Sequence, residues 1–453
     1  MKNVFLFLFL SVVSSAVFAQ NNSYETDQEL TGYWTGALIR SGNSVQILEA
    51  EIYEEEGTTK VASSIPDWAY YPPRISKIAV SGDSLIFETY YGEAVVLLDS
   101  TYMEMVGTIP GKTPVINIHL KKSLKPPKNE IASSEIEISN EGANISGTLY
   151  YPKNSTIDKL PCAVIVHGRG CAPRRYKASR AKKLAEYGMA AFVYDKRGSD
   201  PSGFPCGEST HDLNVSDVST IVKKLSKDKR IDDSKIGLIS YSAGGWIIPD
   251  VASTSTVPIA FMVTIVGPPT SVKEQQMDGM EAFMVKEGMD ESAIRDAQRY
   301  IELLFVEENL DETYNELQSL LEKGDDSGWS QWLVEDDYVE SPDDFDKLWV
   351  QRFAYDPAED LKNYEGPYLA VFGENDDIVP YKKQLDRLYQ IMDEADKTNY
   401  EVKVIAAAGH GMEHGSDLKI IGSDSYYYKF DRVAFGAIQY IIDFLSENEI
   451  IEK

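Results

Sequence analysis

Cysteine is scarce in this sequence, with three residues in 453. A chain of this size with three cysteines is not a disulfide-stabilised scaffold, because at most one bridge can form and one thiol is left over. Paired-cysteine motifs and a helical His-Glu-x-x-His motif are also absent. The sequence therefore predicts no metal site of these common types.

Basic residues are few as well: 44 Lys and Arg stand against 72 Asp and Glu, a formal net charge of −28. A chain this acidic would be repelled by phosphate backbones, which argues against a nucleic-acid partner. Acidity of this kind more often serves solubility than binding, so it does not identify a substrate.

Long apolar runs are missing apart from one, residues 4–13, which follows Lys2. That run is too short to span a bilayer comfortably, and small residues at positions 17 and 19 fit a signal-peptidase site. The pattern predicts a signal peptide over residues 1–19 and a mature, secreted or periplasmic chain that starts near Gln20 and has no membrane span. A retained N-terminal anchor is the alternative.

The segment from Gly32 to Leu120 alternates apolar and polar residues between Gly, Ser, Asn and Asp turn signals. This pattern predicts seven or eight short strands in an antiparallel barrel or sandwich, an accessory domain over residues 20–125. The expected strands are Tyr33–Ile39, Val45–Tyr53, Ile75–Val80, Ser84–Tyr90, Ala94–Asp99, Tyr102–Thr108 and Val115–Leu120. Residues 121–128, with two adjacent prolines, are expected to form a linker.

Residues 126–453 show a different pattern, in which short apolar runs alternate with helical stretches. Such alternation predicts a doubly wound, mostly parallel sheet led by an antiparallel pair. The expected strands are Glu135–Ile138, Ile145–Tyr151, Ala163–Val166, Ala190–Tyr194, Ile236–Ile239, Ile259–Val266, Tyr368–Phe372 and Tyr400–Ile405. Several amphipathic helices between residues 271 and 345 predict a helical cap inserted between two late strands.

Ser242 lies in a run of small residues, 240–245, between an apolar strand and a helical stretch. A nucleophile on a sharp strand-to-helix turn needs small neighbours two positions away on each side. Ser240 stands where a glycine is more usual, a sterically small departure. By itself a Ser-x-Ser-x-Gly pattern is weak evidence, and a structural turn is the alternative.

An earlier strand ends in His167 and Gly168, a loop that can present the backbone N–H of Arg169, beside that of Ala243, to an oxyanion. The same glycine-rich segment resembles a phosphate-binding loop. Pro173 stands where the dinucleotide fingerprint needs a small residue, which disfavours that alternative. The next strand ends in a charged turn, residues 194–198, that either pins the loops beside the site or forms a structural ion pair.

A serine nucleophile also needs a base and an acid that orients it. Asp376 and Asp377 follow a late strand, and Asp376, four positions before a proline, is the preferred candidate over its neighbour. His410, one of five histidines, follows the last strand between two glycines. The chain order of serine, aspartate and histidine, each after its own strand, predicts the triad Ser242, Asp376 and His410.

With these motifs in place, the chain from about Glu135 onward resembles the α/β-hydrolase superfamily. Within that superfamily it is similar to secreted bacterial esterases and to the serine aminopeptidase and prolyl-oligopeptidase-like groups. The resemblance implies acyl transfer by Ser242 with His410 as base, Asp376 as its orienter, and oxyanion amides from Ala243 and Arg169. It implies no metal or organic cofactor, and a small-molecule ester or peptide as substrate.

The sequence indicates the substrate preference less clearly than it indicates the mechanism. The predicted cap holds 22 Asp and Glu against 5 Lys and Arg. This charge would either attract a cationic substrate amine, as in an aminopeptidase, or line the wet faces of amphipathic helices. Esters are intrinsically easier to cleave, so an esterase is predicted, with a serine peptidase as the alternative. A non-catalytic binding protein is a third hypothesis, and oligomeric state is left open.

Cys171 and Cys206 lie in loops that follow neighbouring strands, and both loops are expected at the same edge of the sheet. A disulfide between them is therefore one expectation, and two unpaired loop cysteines are the other. Cys162 opens a buried strand and is expected to be a core thiol.

Overall fold

A computed structural model of the protein describes residues 30–40, 44–65, 73–81, 84–99, 103–113, 115–123, 129–199, 204–206, 209–333, 337–345, 354–405, 408–412 and 440–452. The predicted signal peptide over residues 1–19 lies outside these ranges. Among the described residues, no helix combines the length and apolar character that crossing a bilayer requires.

The N-terminal part of the chain forms an antiparallel sheet of nine strands. These are β1 (Gly32–Arg40), β2 (Ser44–Glu55), β3 (Thr58–Ser64), β4 (Arg74–Lys77), β5 (Ala79–Ser81), β6 (Ser84–Thr89), β7 (Gly92–Leu98), β8 (Glu104–Ile109) and β9 (Ile116–Ser123). Their order is β4-β3-β2-β1-β9-β8-β7-β6-β5. Since β3 and β4 also contact β6, the sheet curls towards closure around a core that includes Trp34 and Ile118.

The all-β prediction is confirmed, although three details of it were wrong. Strand β3 was not predicted, because its sequence is mostly polar and it is held as the hairpin partner of β2. The single strand expected over Ile75–Val80 is divided into two, and the backbone N–H of Ile78 instead donates to the carbonyl oxygen of Thr59. Lys121 and Lys122, assigned to the linker, pair with β1 and belong to β9.

The rest of the chain forms an eight-stranded sheet in the order β10-β11-β13-β12-β14-β15-β16-β17. Its strands are β10 (Ile131–Asn140), β11 (Ala143–Pro152), β12 (Leu160–Val166), β13 (Ala190–Tyr194), β14 (Ile231–Tyr241), β15 (Met262–Ile265), β16 (Tyr368–Gly373) and β17 (Tyr400–Ile405). Strands β10 and β11 form the expected antiparallel pair, β11 meets β13 antiparallel, and the remaining neighbours are parallel. The predicted doubly wound, mostly parallel sheet is confirmed.

Helices alternate with these strands and cover both faces of the sheet. They are α1 (Ala178–Glu186), α2 (His211–Leu225), α3 (Gly244–Thr254), α4 (Val272–Lys286), α5 (Glu291–Leu303), α6 (Leu310–Ser327), α7 (Ala358–Asn363) and α8 (Tyr381–Glu394). Strand β12 shows why its sequence is continuously apolar. Val164 packs with α2, α3 and α8 on one face, whereas Ile165 packs with α1 and a C-terminal helical segment on the other.

The helical insertion predicted between residues 271 and 345 is present. Helices α4, α5 and α6 lie between β15 and β16 and build a small core of their own. Tyr300 and Trp329, both fully buried, meet edge to face at its centre, with ring centroids 5.6 Å apart. This separate core lets the cap stand over the carboxyl ends of the parallel strands.

Candidate active site

Ser242 occupies the turn between β14 and α3, with a backbone φ of 51°. A positive φ is uncommon for a residue with a side chain and marks a sharply bent backbone. A Cβ built on Gly244 would lie 2.8 Å from the carbonyl oxygen of His167 and 3.0 Å from the Cβ of Ser240. The close approach explains the small residues of the motif, because two side chains would not fit where Ser240 meets Gly244.

His410 lies between the serine hydroxyl and a carboxylate. Its Nε2 is 2.9 Å from the Oγ of Ser242, and its Nδ1 is 2.9 Å from the Oδ2 of Asp376. The three residues follow β14, β16 and β17, which end at the same edge of the sheet. All three residues predicted from the sequence are thus brought together. An imidazole in this position can accept the hydroxyl proton while the carboxylate orients the ring.

Asp376 and its neighbour Asp377 have different surroundings. The Asp376 side chain is fully buried, and its Oδ1 accepts hydrogen bonds of 2.9 Å from the backbone N–H groups of Ile378 and Val379. Asp377 is partly exposed and contacts Lys286 of α4 instead. The turn therefore aims one carboxylate at the histidine and the other at the cap.

The His-Gly loop after β12 lies directly over the serine turn. A Cβ built on Gly168 would lie 2.9 Å from the carbonyl oxygen of Tyr241 and 3.7 Å from the backbone nitrogen of Ala243. Only a residue without a side chain allows this approach. The loop thereby brings the Gly168–Arg169 peptide beside Ala243, the two positions that the sequence predicts for the oxyanion amides.

Lys196 anchors this loop through a hydrogen bond. Its Nζ donates a 2.8 Å hydrogen bond to the carbonyl oxygen of Gly168. The residue is 6% exposed, and burial lowers the pKa of its ammonium group to about 8. The Gly168 carbonyl and the Arg169 N–H belong to one planar peptide group, so the bond to Lys196 also restrains the direction of that N–H.

Arg197, the next residue, has a structural role. Its Nε donates to the Oδ2 of Asp217 at 2.9 Å, and its guanidinium also donates to the backbone carbonyls of Asn140 and Glu141. Burial raises the pKa of Asp217, which the hydrogen bonds from Arg197 oppose. Both hypotheses for the charged turn hold, with Lys196 pinning the loop and Arg197 forming the ion pair.

His167 is buried beside the site and is not placed to act as a base. Its Nε2–H donates to the carbonyl oxygen of Tyr194 at 2.8 Å. Burial lowers the pKa of its imidazole to about 3, helped by the nearby charges of Lys177 and Lys196. The ring is therefore neutral at ordinary pH and serves to tie β12 to the end of β13.

Cys171 and Cys206 form a disulfide, with their Cα atoms 5.8 Å apart. The bridge joins the loop after β12 to the loop after β13. It packs against the charged turn, since a Cβ on Gly198 would lie 2.7 Å from the Sγ of Cys171. Cys162 is a buried free thiol in β12, as predicted, and burial raises its pKa.

A cavity of about 740 Å³ opens above Ser242 and His410. The cap supplies mainly apolar or uncharged lining residues: Gln275, Gln276, Gly279, Met280, Phe283, Ile301 and Trp332. Lys177, Arg180 and Tyr241, which lie outside the cap, also line the cavity. Sequence reasoning did not single out these three, because no local pattern shows that the start of α1 packs against the residue before the serine.

A sequence model described as the alpha/beta hydrolase fold matches residues 164–412. The match covers more than half of the chain and includes Ser242, Asp376 and His410.

Two curated proteins show sequence similarity. Esterase EstD of Thermotoga maritima is 25% identical over 247 residues, which are 53% of this chain and 52% of EstD. An uncharacterized protein of Pseudomonas aeruginosa, PA2218, is 29% identical over 106 residues, 23% of this chain and 28% of that protein. The chain thus spans about half the length of the first relative and about a quarter of the second.

Among solved structures, Est1E from Butyrivibrio proteoclasticus, determined with bound ferulic acid, is 16% identical to this chain. The superposition has a TM-score of 0.44 and covers 69% of this chain and 99% of that one.

Proposed function

This chain belongs to the alpha/beta hydrolase fold family, and from that premise we propose that it is a serine hydrolase that cleaves carboxylic esters. The observation that carries the proposal is the alignment of three side chains: the Ser242 hydroxyl, the His410 imidazole and the Asp376 carboxylate, with 2.9 Å at each junction. Few arrangements of these groups serve any purpose other than activating the hydroxyl.

In the proposed reaction, the Oγ of Ser242 bonds to the acyl carbon while the Nε2 of His410 takes the hydroxyl proton. The backbone N–H groups of Ala243 and Arg169 stabilise the oxyanion. Collapse of this intermediate breaks the ester bond, and the alcohol leaves with the proton held by His410. Water then attacks the acyl group, giving its proton to His410, and the free acid departs as Ser242 regains its hydrogen.

Esters are favoured over peptides as substrates. An alkoxide leaves with less help than an amine needs, so the ester reaction asks less of the site. The described cavity lining contains one carboxylate from the cap, Asp337, rather than a dedicated pair of acids for a substrate amine. Many cap acids instead form surface contacts; for example, Arg299 binds Glu302 and Glu316. A serine peptidase is the second candidate.

The third hypothesis, a binding protein without catalysis, has less support. Such proteins usually lack one of the reacting side chains, whereas here Ser242 and His410 are both present and within hydrogen-bond distance of each other.

Labelling with a fluorophosphonate tests the nucleophile. Wild-type protein should react and Ser242→Ala should not, and turnover should fall by about four to six orders of magnitude. Ser240→Ala is the matched control, because Ser240 is a buried serine two residues away that does not contact His410. Normal turnover by Ser242→Ala, or lost labelling of Ser240→Ala alone, would contradict the assignment.

Substrate preference is tested with p-nitrophenyl acetate and butyrate against aminoacyl p-nitroanilides, at low and high salt. We expect faster turnover of the esters, with little dependence on salt. Faster turnover of the anilides, declining as salt rises, would instead favour the peptidase and a role for the acidic cap in binding a substrate amine.

We also propose that the protein is exported. The apolar segment at residues 4–13 fits a signal peptide, and the Cys171–Cys206 disulfide suits an oxidising compartment. Amino-terminal sequencing of the protein from the producing organism should place the mature end near Gln20, and an intact Met1 in the cytoplasmic fraction would exclude export.

A further inference from the structure

Two basic side chains stand beside the proposed nucleophile. Lys177 is the residue before α1, and Arg180 lies within its first turn. The Nζ of Lys177 is 3.6 Å from the ring centroid of Tyr241, and the guanidinium carbon of Arg180 is 4.6 Å from the same centroid. Tyr241 directly precedes Ser242, and all four residues line one cavity. The two cations are therefore held against the wall of the catalytic pocket.

Neither cation is paired with a carboxylate in the part of the chain that the structure describes. Within the described ranges, no carboxylate lies at ion-pair distance from Lys177 or Arg180. Neighbouring basic residues are paired: Arg174 contacts Glu135 at 2.7 Å, and Lys183 contacts Glu186 at 3.0 Å. A chain with a net charge of −28 has ample acids to pair with, so two adjacent cations without a counter-ion among the described residues are unusual.

These two charges are also partly removed from water. Lys177 and Arg180 are both half-buried. Burial, together with the charge of Arg180, lowers the pKa of Lys177 to about 7. Holding like charges together in a partly desolvated site is unfavourable unless an anion joins them. An anionic group bound in the cavity would supply the missing counter-charge.

The part of the cavity lining that comes from the cap is mainly apolar or uncharged, with Asp337 as the one carboxylate among the described cap residues that line it. Met280, Phe283, Ile301 and Trp332 of the cap face the site. The acids of α4 turn elsewhere, as Asp278 and Glu281 both bind Lys383 of α8. Among the described lining residues, the cap thus contributes mostly apolar side chains and the start of α1 contributes two cations, although the chain as a whole is strongly acidic.

We propose that the natural substrates are esters that carry a carboxylate, which binds Lys177 and Arg180 while the apolar part of the ester lies under the cap. This inference rests on the proposed ester hydrolysis and names its substrate class. It predicts the opposite of an aminopeptidase pocket, because a substrate ammonium group would be repelled by both side chains.

The test uses three methyl esters of similar length: monomethyl adipate, which is anionic, methyl hexanoate, which is neutral, and methyl 6-aminohexanoate, which is cationic. Hydrolysis is followed by proton release, and the adipate is accompanied by its shorter and longer homologues. We expect kcat/KM to be highest for an anionic ester and lowest for the cationic one. Equal rates for all three, or preference for the cationic ester, would overturn the proposal.

Variants identify the residues responsible. Lys177→Gln and Arg180→Gln should each lower the anionic-to-neutral ratio of kcat/KM by about 10- to 100-fold, mainly through KM, because each removes a charge-assisted hydrogen bond. Lys177→Arg should restore most of the ratio. Arg175→Gln is the matched control, since Arg175 is exposed, stacks on Tyr176 and does not line the cavity. If the anionic-to-neutral ratio of kcat/KM fell equally in Arg175→Gln, the effect would come from the overall charge of the protein, and the proposal would be rejected.

Failure of this proposal is distinguishable from failure of ester hydrolysis. Calorimetric titration of Ser242→Ala with monomethyl adipate and methyl hexanoate measures binding without turnover. Tighter binding of the adipate, lost in Ser242→Ala combined with Arg180→Gln, supports the anion site even if no ester is cleaved. Equal binding of the two ligands rejects the site even if esters are cleaved.

Discussion

The Nζ of Lys196 lies 2.8 Å from the carbonyl oxygen of Gly168, on the opposite side of a peptide group from the N–H of Arg169. A cationic donor on the carbonyl polarises the peptide group and makes its N–H a stronger donor. The same bond restrains the plane of the peptide. Lys196 is therefore placed to position a proposed oxyanion amide without touching the substrate.

Replacing Lys196 with Met should lower kcat by about 10- to 100-fold with little change in KM, less than the loss when an oxyanion donor is deleted outright. The reason is that the amide is misaligned mainly for the transition state and not for the bound ester. Steady-state kinetics with p-nitrophenyl butyrate measure the two constants separately. Binding of an alkyl boronic acid, a mimic of the tetrahedral intermediate, should weaken in parallel with kcat.

Lys183→Met is the control for this variant, because Lys183 is a partly buried lysine of α1 whose partners are Glu49 and Glu186. It should leave kcat within about twofold of wild type. If Lys196→Met lowers the melting temperature but leaves kcat and boronate binding intact, Lys196 only supports the fold.

Asp376→Asn and Asp377→Asn separate the two neighbouring acids. Asparagine at position 376 still accepts the backbone hydrogen bonds but no longer stabilises the imidazolium form of His410, so kcat should fall by about 10⁴-fold. Asparagine at 377 loses only a surface contact with Lys286 and should cost little activity. Comparable losses in the two variants would show that the turn is arranged differently from the structure described.

The preference for anionic esters should depend on pH. Because the pKa of Lys177 is lowered to about 7, its ammonium group is charged below that pH and loses its charge above it. The ratio of kcat/KM for monomethyl adipate to that for methyl hexanoate should therefore fall as pH rises through about 7. His167, whose pKa burial lowers to about 3 and which lies near Lys177, stays neutral over this range and does not add to the dependence.

Lys177→Arg provides the control for the pH effect. Its guanidinium keeps its charge, so the ratio should be nearly constant between about pH 6 and pH 9. A wild-type ratio that is flat over this range, or that rises with pH, would show that Lys177 does not carry the dependence.

The disulfide should stabilise the region around the active site. Cys171 and Cys206 are 35 residues apart, and closing a loop of that length contributes about 2 to 4 kcal/mol. Cys171→Ser/Cys206→Ser should therefore melt at a lower temperature, with Cys162→Ala as the bridge-retaining control. Peptide mapping without reductant should recover the two cysteines as one cross-linked pair. Two free thiols in protein from an oxidising host would contradict the bridge.

The sequence by itself indicated most of the architecture, because both sheets leave strong local patterns. Strands buried on both faces must be continuously apolar, and β13 has the bounds expected from its apolar run of Ala, Phe, Val and Tyr. The half-buried edge strand β17 also has the expected bounds, although Glu401 and Lys403 alternate with its apolar residues. The serine turn could be predicted because a close backbone approach excludes side chains at Gly244. Strand β3 was missed because its polar residues are held by pairing with β2, a contact that depends on the partner strand.

The tertiary structure decided what the individual side chains face. Residues such as Lys177, Lys196 and Asp377 carry no local signal that separates a surface charge from a functional one. The packing of α1 against Tyr241 places Lys177 in the cavity, and the return of β13 beside β12 places Lys196 under Gly168. These contacts join residues that are distant in the chain. Because the interaction energy depends on both partners, the local sequence around either one does not reveal it. Periodicity and short motifs therefore predicted the fold and the three residues of the proposed triad, whereas the charge that lines the cavity was set only by how the helices and loops pack.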